Sequence, residues 1–429
     1  MRQSIITASL VLTIFVCVGS GQTSQPRTGA GRVVVTNTVP PQQTIVAPRP
    51  TPTPVVANTP LPTQKIPVTM PEVPFSQASN LNYKGLPFSQ IKAKIAEAKR
   101  IMLTKPMNTA YVAPAPGSPA IGDALSPVRI AYYDYKSKQI DFVVLSKDAF
   151  LQTVSPTTAL STNGRVMTIR TLRANGVNTP VVLTDDRGDA MLPLLVQYPV
   201  ERNGRFMETA YYMSTHPGII TPEVVNAGRF YVRNVIDIAR DNLKARGYFI
   251  QPKVADIAEH LATVEHVDHM RFKTEFVPNI FNDIYTLYAL NEGQTFRYSV
   301  SSAGAGGMVQ MIPSTYSMVR ARYPNASLMP DFVEGMRNHV NATEAMLLYM
   351  QMTWNDLFSN ATVTGAVASG QATEPQLMAA GYNSNPAKLA GYINRGGAGW
   401  TSLIPGETKI YLQIYDALDH AVTIPARKQ

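Results

Sequence analysis

Residues 291–310 read NEGQTFRYSVSSAGAGGMVQ, and their reading decides the fold of the second half of the chain. Upstream, Pro278 suits the first turn of a helix, and Ile280, Phe281, Ile284, Leu287 and Tyr288 recur at helical spacing, so a helix with one buried face is expected up to Asn291. Gly293 is the natural residue to stop it. Glu292 then stands at or just past the helix C-terminus, among carbonyls that carry partial negative charge. That position, together with partial burial, would favour a carboxyl that keeps its proton and can hand it to a leaving oxygen. The plain alternative is a frayed surface Glu beside a Gly. The Ser and Gly that follow leave room for a backbone to approach a bulky polar ligand.

Helical spacing extends outward on both sides. At Thr221-Pro222-Glu223 an N-cap, a proline at the first helical position and an acid in the first turn open a helix. Its stripe of Val224, Gly228, Tyr231, Val235, Ile238 and Leu243 runs to a stop at Arg246-Gly247, and from there to the end the chain reads as helical. In EHLATVEHVDHM, His260, His266, His269 and Glu265 lie close together, as zinc ligands can. No third ligand falls on the same helix face, so a polar face is the expected reading and no metal is assigned.

Residues 128–213 have a different texture. The runs RIAYYDY, IDFVVL, RVMTIRTL and PVVLTD are strand-like, and LLVQYPVERNGRFMETAYYM is a hairpin with Asn203-Gly204 at its turn. No catalytic constellation is visible there, and His216 is solitary. Just upstream, Ile91, Ile95, Ala98 and Met102 mark an amphipathic helix over Ser89–Leu103, followed by a Pro-, Ala- and Gly-rich loop at residues 113–122.

At the N-terminus, Arg2, the apolar run ASLVLTIFVCV and then Gly19, Ser20 and Gly21 have the order of a secretory leader. Cys17 is the only cysteine, so leader removal leaves no thiol and excludes cysteine nucleophiles, thiolate metal sites and disulfides. Val16 stands where a small residue is wanted before a lipidated cysteine, which argues against a lipid anchor at Cys17. Gln22 to Ser79 is rich in Pro and Thr, the composition of an extended spacer. The net charge of +9 favours an anionic partner. Nucleic acid, anionic lipid and the carboxylate-bearing cell wall all qualify by charge; behind a secretory leader nucleic acid is not expected, and the expected location is periplasmic or outside the cell.

Glu292 is followed nine residues later by Ser301, then by Gly304-Ala305-Gly306-Gly307, by Gln310 eighteen residues after the Glu, and by Pro313 and Thr315. Three further blocks follow in order: RNHVNATEAMLLYM (337–350), MAAGYNSNP (378–386) and IPGETKIY (404–411). Residues 270–420 thereby resemble the catalytic domain of lytic transglycosylases of the goose-lysozyme-like superfamily, most closely the membrane-bound type D enzymes. The resemblance implies cleavage of the β-1,4 bond between N-acetylmuramic acid and N-acetylglucosamine, leaving 1,6-anhydro ends and using no cofactor. It makes Glu292 the general acid and base. Ser301 and Tyr382 would polarise the substrate, Gln310 and Asn383 would hydrogen-bond near the acid or the sugar, and Tyr411 would line the cleft. The departures are Gly293 where the family has Ser, Asn385 where it has Gly, and a Thr-, Ala- and Ser-rich stretch at 359–376.

A lone acid fits that chemistry, because Asp283, nine residues upstream, falls on the opposite helix face. The expected organisation is α+β and multidomain: a leader (1–21), a disordered Pro/Thr-rich linker (22–80), a helix and small β-rich domain (81–220), and an all-α lysozyme-like catalytic domain (221–429). Peptidoglycan glycan strands are the expected partner, with an envelope protein as a candidate for the β-rich domain. Two alternatives stand: a non-catalytic wall-binding scaffold, and a hydrolytic goose-type lysozyme.

Overall fold

The computed structural model describes residues 85–105, 127–202 and 205–428. The expected leader and linker with Cys17, the loop at 113–122 and the Asn203-Gly204 dipeptide lie outside the described residues. The described chain is mixed α and β, with thirteen α-helices and a curled antiparallel sheet.

Helix α1 (Phe88–Thr104) comes first, burying Ile91, Ala98 and Met102. Seven strands follow: β1 (Val128–Asp134), β2 (Gln139–Leu145), β3 (Thr157–Leu160), β4 (Val166–Thr171), β5 (Val181–Asp185), β6 (Ala190–Arg202) and β7 (Arg205–Tyr212). The short helix α2 (Lys147–Leu151) joins β2 to β3. The strand order is β2-β1-β6-β5-β4-β3, with β7 also paired to β6, and the sheet curls until Val143 of β2 bridges Ser161 just past β3. The β6–β7 ladder closes on Arg202↔Arg205.

All seven residues of β1 are buried because both faces of the sheet are covered. Ile130, Tyr132, Val143, Met167, Leu183 and Tyr198 belong to the larger core, together with Phe150 of α2. Ala131, Tyr133, Leu192, Leu194 and Leu195 pack on the other side against α1. Arg129, itself buried, donates to the Met102 and Lys105 carbonyls at 2.7 and 2.8 Å, so the C-terminal end of α1 is tied to the sheet by charge-assisted bonds.

The helical part comprises α3 (Pro222–Ala245), α4 (Pro252–Val264), α5 (His269–Thr274), α6 (Val277–Asn291), α7 (Pro313–Arg322), α8 (Phe332–Arg337) and α9 (His339–Phe358). It continues with α10 (Ala361–Ala368), α11 (Glu374–Asn383), α12 (Leu389–Gly396) and α13 (Gly406–Ala421). Helix α3 starts where its cap demands, with Thr221 Oγ1 accepting from the Val224 amide at 3.2 Å. At its other end Gly247 takes φ +85° and the Tyr248 amide reaches back to the Leu243 carbonyl at 2.8 Å. The stretch at 359–376 holds α10, which buries Val363 and Ala366.

Candidate functional site

Helix α6 is the element that presents Glu292. It lies close against α3, because Gly228 has no side chain: a Cβ there would fall 1.8 Å from the Tyr285 carbonyl oxygen. The α6 end is also fixed from the sheet side. Asn291 accepts from the Met213 amide and donates to the Met213 carbonyl, both at 2.8 Å, joining the exit of β7 to the last turn of α6.

The helix ends at Asn291, as expected, but the positive φ falls on Glu292 rather than on Gly293. Glu292 itself takes φ 47° and ψ −125°, a conformation that residues with a side chain avoid, and Gly293 lies inside the 3-10 turn Glu292–Gln294. The Thr295 amide closes that turn on the Glu292 carbonyl at 2.9 Å, and Thr295 Oγ1 donates to the Leu287 carbonyl at 3.0 Å.

Glu292 is more exposed than buried. Its side chain is 57% exposed and forms an ion pair with the Lys92 ammonium of α1. The cause is local: the apolar cover supplied by the sheet and α1 reaches Ala289 and Leu290 and ends there.

After the turn, the Ser and Gly residues build a loop held by bonds across itself. Ser301 exchanges bonds with Ala305 through its amide (2.9 Å to the carbonyl) and through Oγ, which accepts the Ala305 amide at 3.0 Å. Gly306 bridges both Val300 and Met311. Gly307, at φ +66°, lies so near α8 that a Cβ would come 2.1 Å from the Met336 carbonyl oxygen. Gln310 is buried, and its amide donates to the Gly307 carbonyl at 2.8 Å and to Ser299 Oγ at 3.2 Å. It ties the loop from inside.

Tyr382 of α11 donates to the Val309 carbonyl at 2.7 Å, so it grips the same loop. The neighbouring Asn383 accepts from Thr408 Oγ1 of α13 at 2.9 Å. Tyr411, only 2% exposed, donates to Glu265 Oε1 at 2.7 Å and fastens α13 to the end of α4. It is a buried residue at the contact between α4 and α13. Ser301, Gln310 and Tyr382 are thus brought together in one loop assembly, while Asn383 and Tyr411 hold the helices behind it.

Sequence reasoning missed several neighbours of Glu292. Lys92 lies in a helix read only for its apolar stripe, and no local pattern points from it to Glu292. Tyr231 was legible as part of the α3 stripe, but not as a hydroxyl 3.0 Å from Nδ1 of His339. His339 Nε2 lies 2.7 Å from the Thr295 carbonyl. Burial pushes the His339 imidazole down to about 4. Beyond the turn, Arg337 and Arg297 reach Glu208 of β7 at 2.8 and 3.8 Å.

The histidines of 260–269 go separate ways. His260 Nε2 faces Asp419 at 3.4 Å, His266 Nε2 meets the Met308 carbonyl at 2.8 Å, and His269 begins α5. Among the described residues no group of three His, Cys, Asp or Glu is placed to hold a metal ion. Asp283 is engaged by Arg271 at 2.6 Å. No family model, no curated protein and no solved structure matches this chain.

Proposed function

We propose that the chain is a peptidoglycan lytic transglycosylase whose helical part is a lysozyme-like catalytic domain, with Glu292 as the single acid and base. One observation supports the reading: sequence blocks far apart in the chain, at 299–310, 378–386 and 404–411, are joined to one another by side-chain hydrogen bonds. Tyr382 holds Val309 and Thr408 holds Asn383.

In this reaction the Glu292 carboxyl protonates the oxygen between N-acetylmuramic acid and N-acetylglucosamine as the bond to the anomeric carbon breaks. The muramic 6-hydroxyl then attacks that carbon and returns its proton to Glu292, closing the 1,6-anhydro ring without consuming water. The nucleophile is tethered in the substrate, so its effective concentration is high and no second carboxylate is required. Asp283, held by Arg271, is consistent with that economy. The Lys92 contact must open when glycan enters. Both partners are partly exposed, at 35% and 57%, and a pair of that kind contributes about 0–1 kcal/mol, so displacing it costs little. The excess of cationic side chains suits the acidic wall, and a location outside the cytoplasmic membrane goes with the reading.

A second reading, a wall-binding scaffold that does not cut, is favoured by the same ion pair, since Lys92 occupies the carboxylate that the reaction needs free. Incubating the protein with purified peptidoglycan and weighing the released muropeptides separates the readings. Products one water lighter than the hydrolysis products, with anhydro ends, are expected. Reducing ends would assign a hydrolytic lysozyme, and glycan that is bound but unchanged would assign the scaffold.

A further inference from the structure

We infer that Tyr231 and His339 are positioning residues for Glu292: a buried hydroxyl and imidazole, drawn from two helices, that brace the strained turn carrying the carboxylate. The inference rests on the reading of Glu292 as the acid.

Glu292 at φ 47° is in a region that residues with a side chain avoid, and such backbone persists only where its surroundings over-determine it. The far end of the turn is Thr295, and it is held three times. Its amide reaches the Glu292 carbonyl at 2.9 Å, its hydroxyl reaches Leu287 at 3.0 Å, and its carbonyl accepts from His339 Nε2 at 2.7 Å. A carbonyl can only accept, so Nε2 carries the hydrogen. In a neutral ring Nδ1 is then a bare acceptor, and the Tyr231 hydroxyl, 3.0 Å away, is its donor. The chain of bonds therefore has one direction, from Tyr231 through His339 to Thr295.

Burial keeps both members neutral. It pushes the imidazole down to about 4, and it pushes the phenol upward with a smaller contribution from the Glu292 charge. A pair that does not titrate near neutral pH is a brace rather than a proton relay. Its footing is rigid: the Tyr231 ring stacks on Tyr288 of α6 at 6.1 Å and 23°, and the His339 ring meets Tyr288 edge-on at 6.3 Å. One turn before Tyr231, Gly228 makes the close contact between α3 and α6. The Tyr231 hydroxyl also lies next to Gly293, where an added Cβ would come 3.8 Å from it.

Tyr231→Phe keeps the stacking and deletes the donor. In the full chain this variant is expected to cut peptidoglycan with kcat lowered about tenfold and KM unchanged, and to exchange the amides of residues 293–296 about tenfold faster while other helices keep their protection. His339→Gln, which retains a donor and an acceptor, is expected to keep more turnover than His339→Leu. Wild-type kcat in Tyr231→Phe, or a rise in KM without loss of kcat, would overturn the inference. If the wild-type protein cuts no glycan, the functional reading fails by itself, and the amide exchange still decides the brace: acceleration confined to the turn supports it, and unchanged exchange overturns it.

Discussion

His339 makes a prediction that needs no substrate. An imidazole in the unfolded chain takes its proton near pH 6.5, whereas the buried folded one holds off until about 4. Between those values the unfolded state binds the additional proton, so this group's contribution to stability is full above pH 6.5 and is lost as the pH falls, at about 1.4 kcal/mol per unit. His339→Gln lacks the titration. The stability gap between wild type and variant, from urea unfolding at a series of pH values, is expected to be widest at pH 7 and to narrow by about 3 kcal/mol near pH 4. A gap independent of pH would show that the ring is not buried and neutral. At this scale the sequence reveals position better than surroundings. Glu292 was placed at the end of its helix by Pro278, the apolar stripe and Gly293, all local signals. Its positive φ, its exposure and its contact with Lys92 depend on residues outside the window, and the identities of Gln310 and Tyr411 do not say that both are buried.

Among elements, the crossing of α3 and α6 governs where Glu292 is carried, and Gly228 is its tightest point. Replacing a helical Gly by Ala normally stabilises by about 1 kcal/mol. Here the added methyl would lie 1.8 Å from the Tyr285 carbonyl oxygen, and forcing two packed helices apart costs about 1–3 kcal/mol or more, so packing outweighs propensity. Gly228→Ala is therefore expected to lower the urea midpoint, and a raised midpoint would show the crossing to be looser than described. Elements with strong local grammar were legible in advance: α3 from Thr221-Pro222-Glu223 and its stripe, α1 from Ile91, Ala98 and Met102, and β6 and β7 from the residues flanking Asn203-Gly204. Strand β3 was not, because Thr157, Thr158, Ala159 and Leu160 alternate between half-exposed and exposed and show no buried face. Nor was α10 marked out as an element of its own, because its Thr, Val and Gly are weak helix formers and packing of Val363 and Ala366 holds it.

At the scale of the molecule, the sheet and the helices share apolar cores. One cluster runs from Val128 and Tyr198 in the sheet to Leu418 in the last helix, and a second joins α1, β6, α3 and α6 through Ile91, Leu194, Val224 and Leu290. Polar ties cross the same join at Asn291 with Met213 and at Glu208 with Arg337. The tail returns as well: Arg427 inserts between Asp237, Asp256 and Glu259, whose charges outweigh its burial and keep its guanidinium above the ordinary value. Unfolding is expected to be concerted across the join. Both tryptophans, Trp354 and Trp400, report from the helical side, so their fluorescence and the amide exchange of β1 and β6 should give one transition. Two separate transitions would mean that the units at 81–220 and 221–429 fold independently. The long-range ties were beyond sequence reasoning because each joins residues with no shared local pattern.

The functional proposal stands or falls with Glu292. Wild-type protein and Glu292→Gln, incubated in parallel with purified peptidoglycan, are to be compared by the mass of the soluble products. Anhydro-ended muropeptides from the wild type and none from the variant, with glycan binding retained by both, is the predicted result. Equal release from both proteins would contradict it.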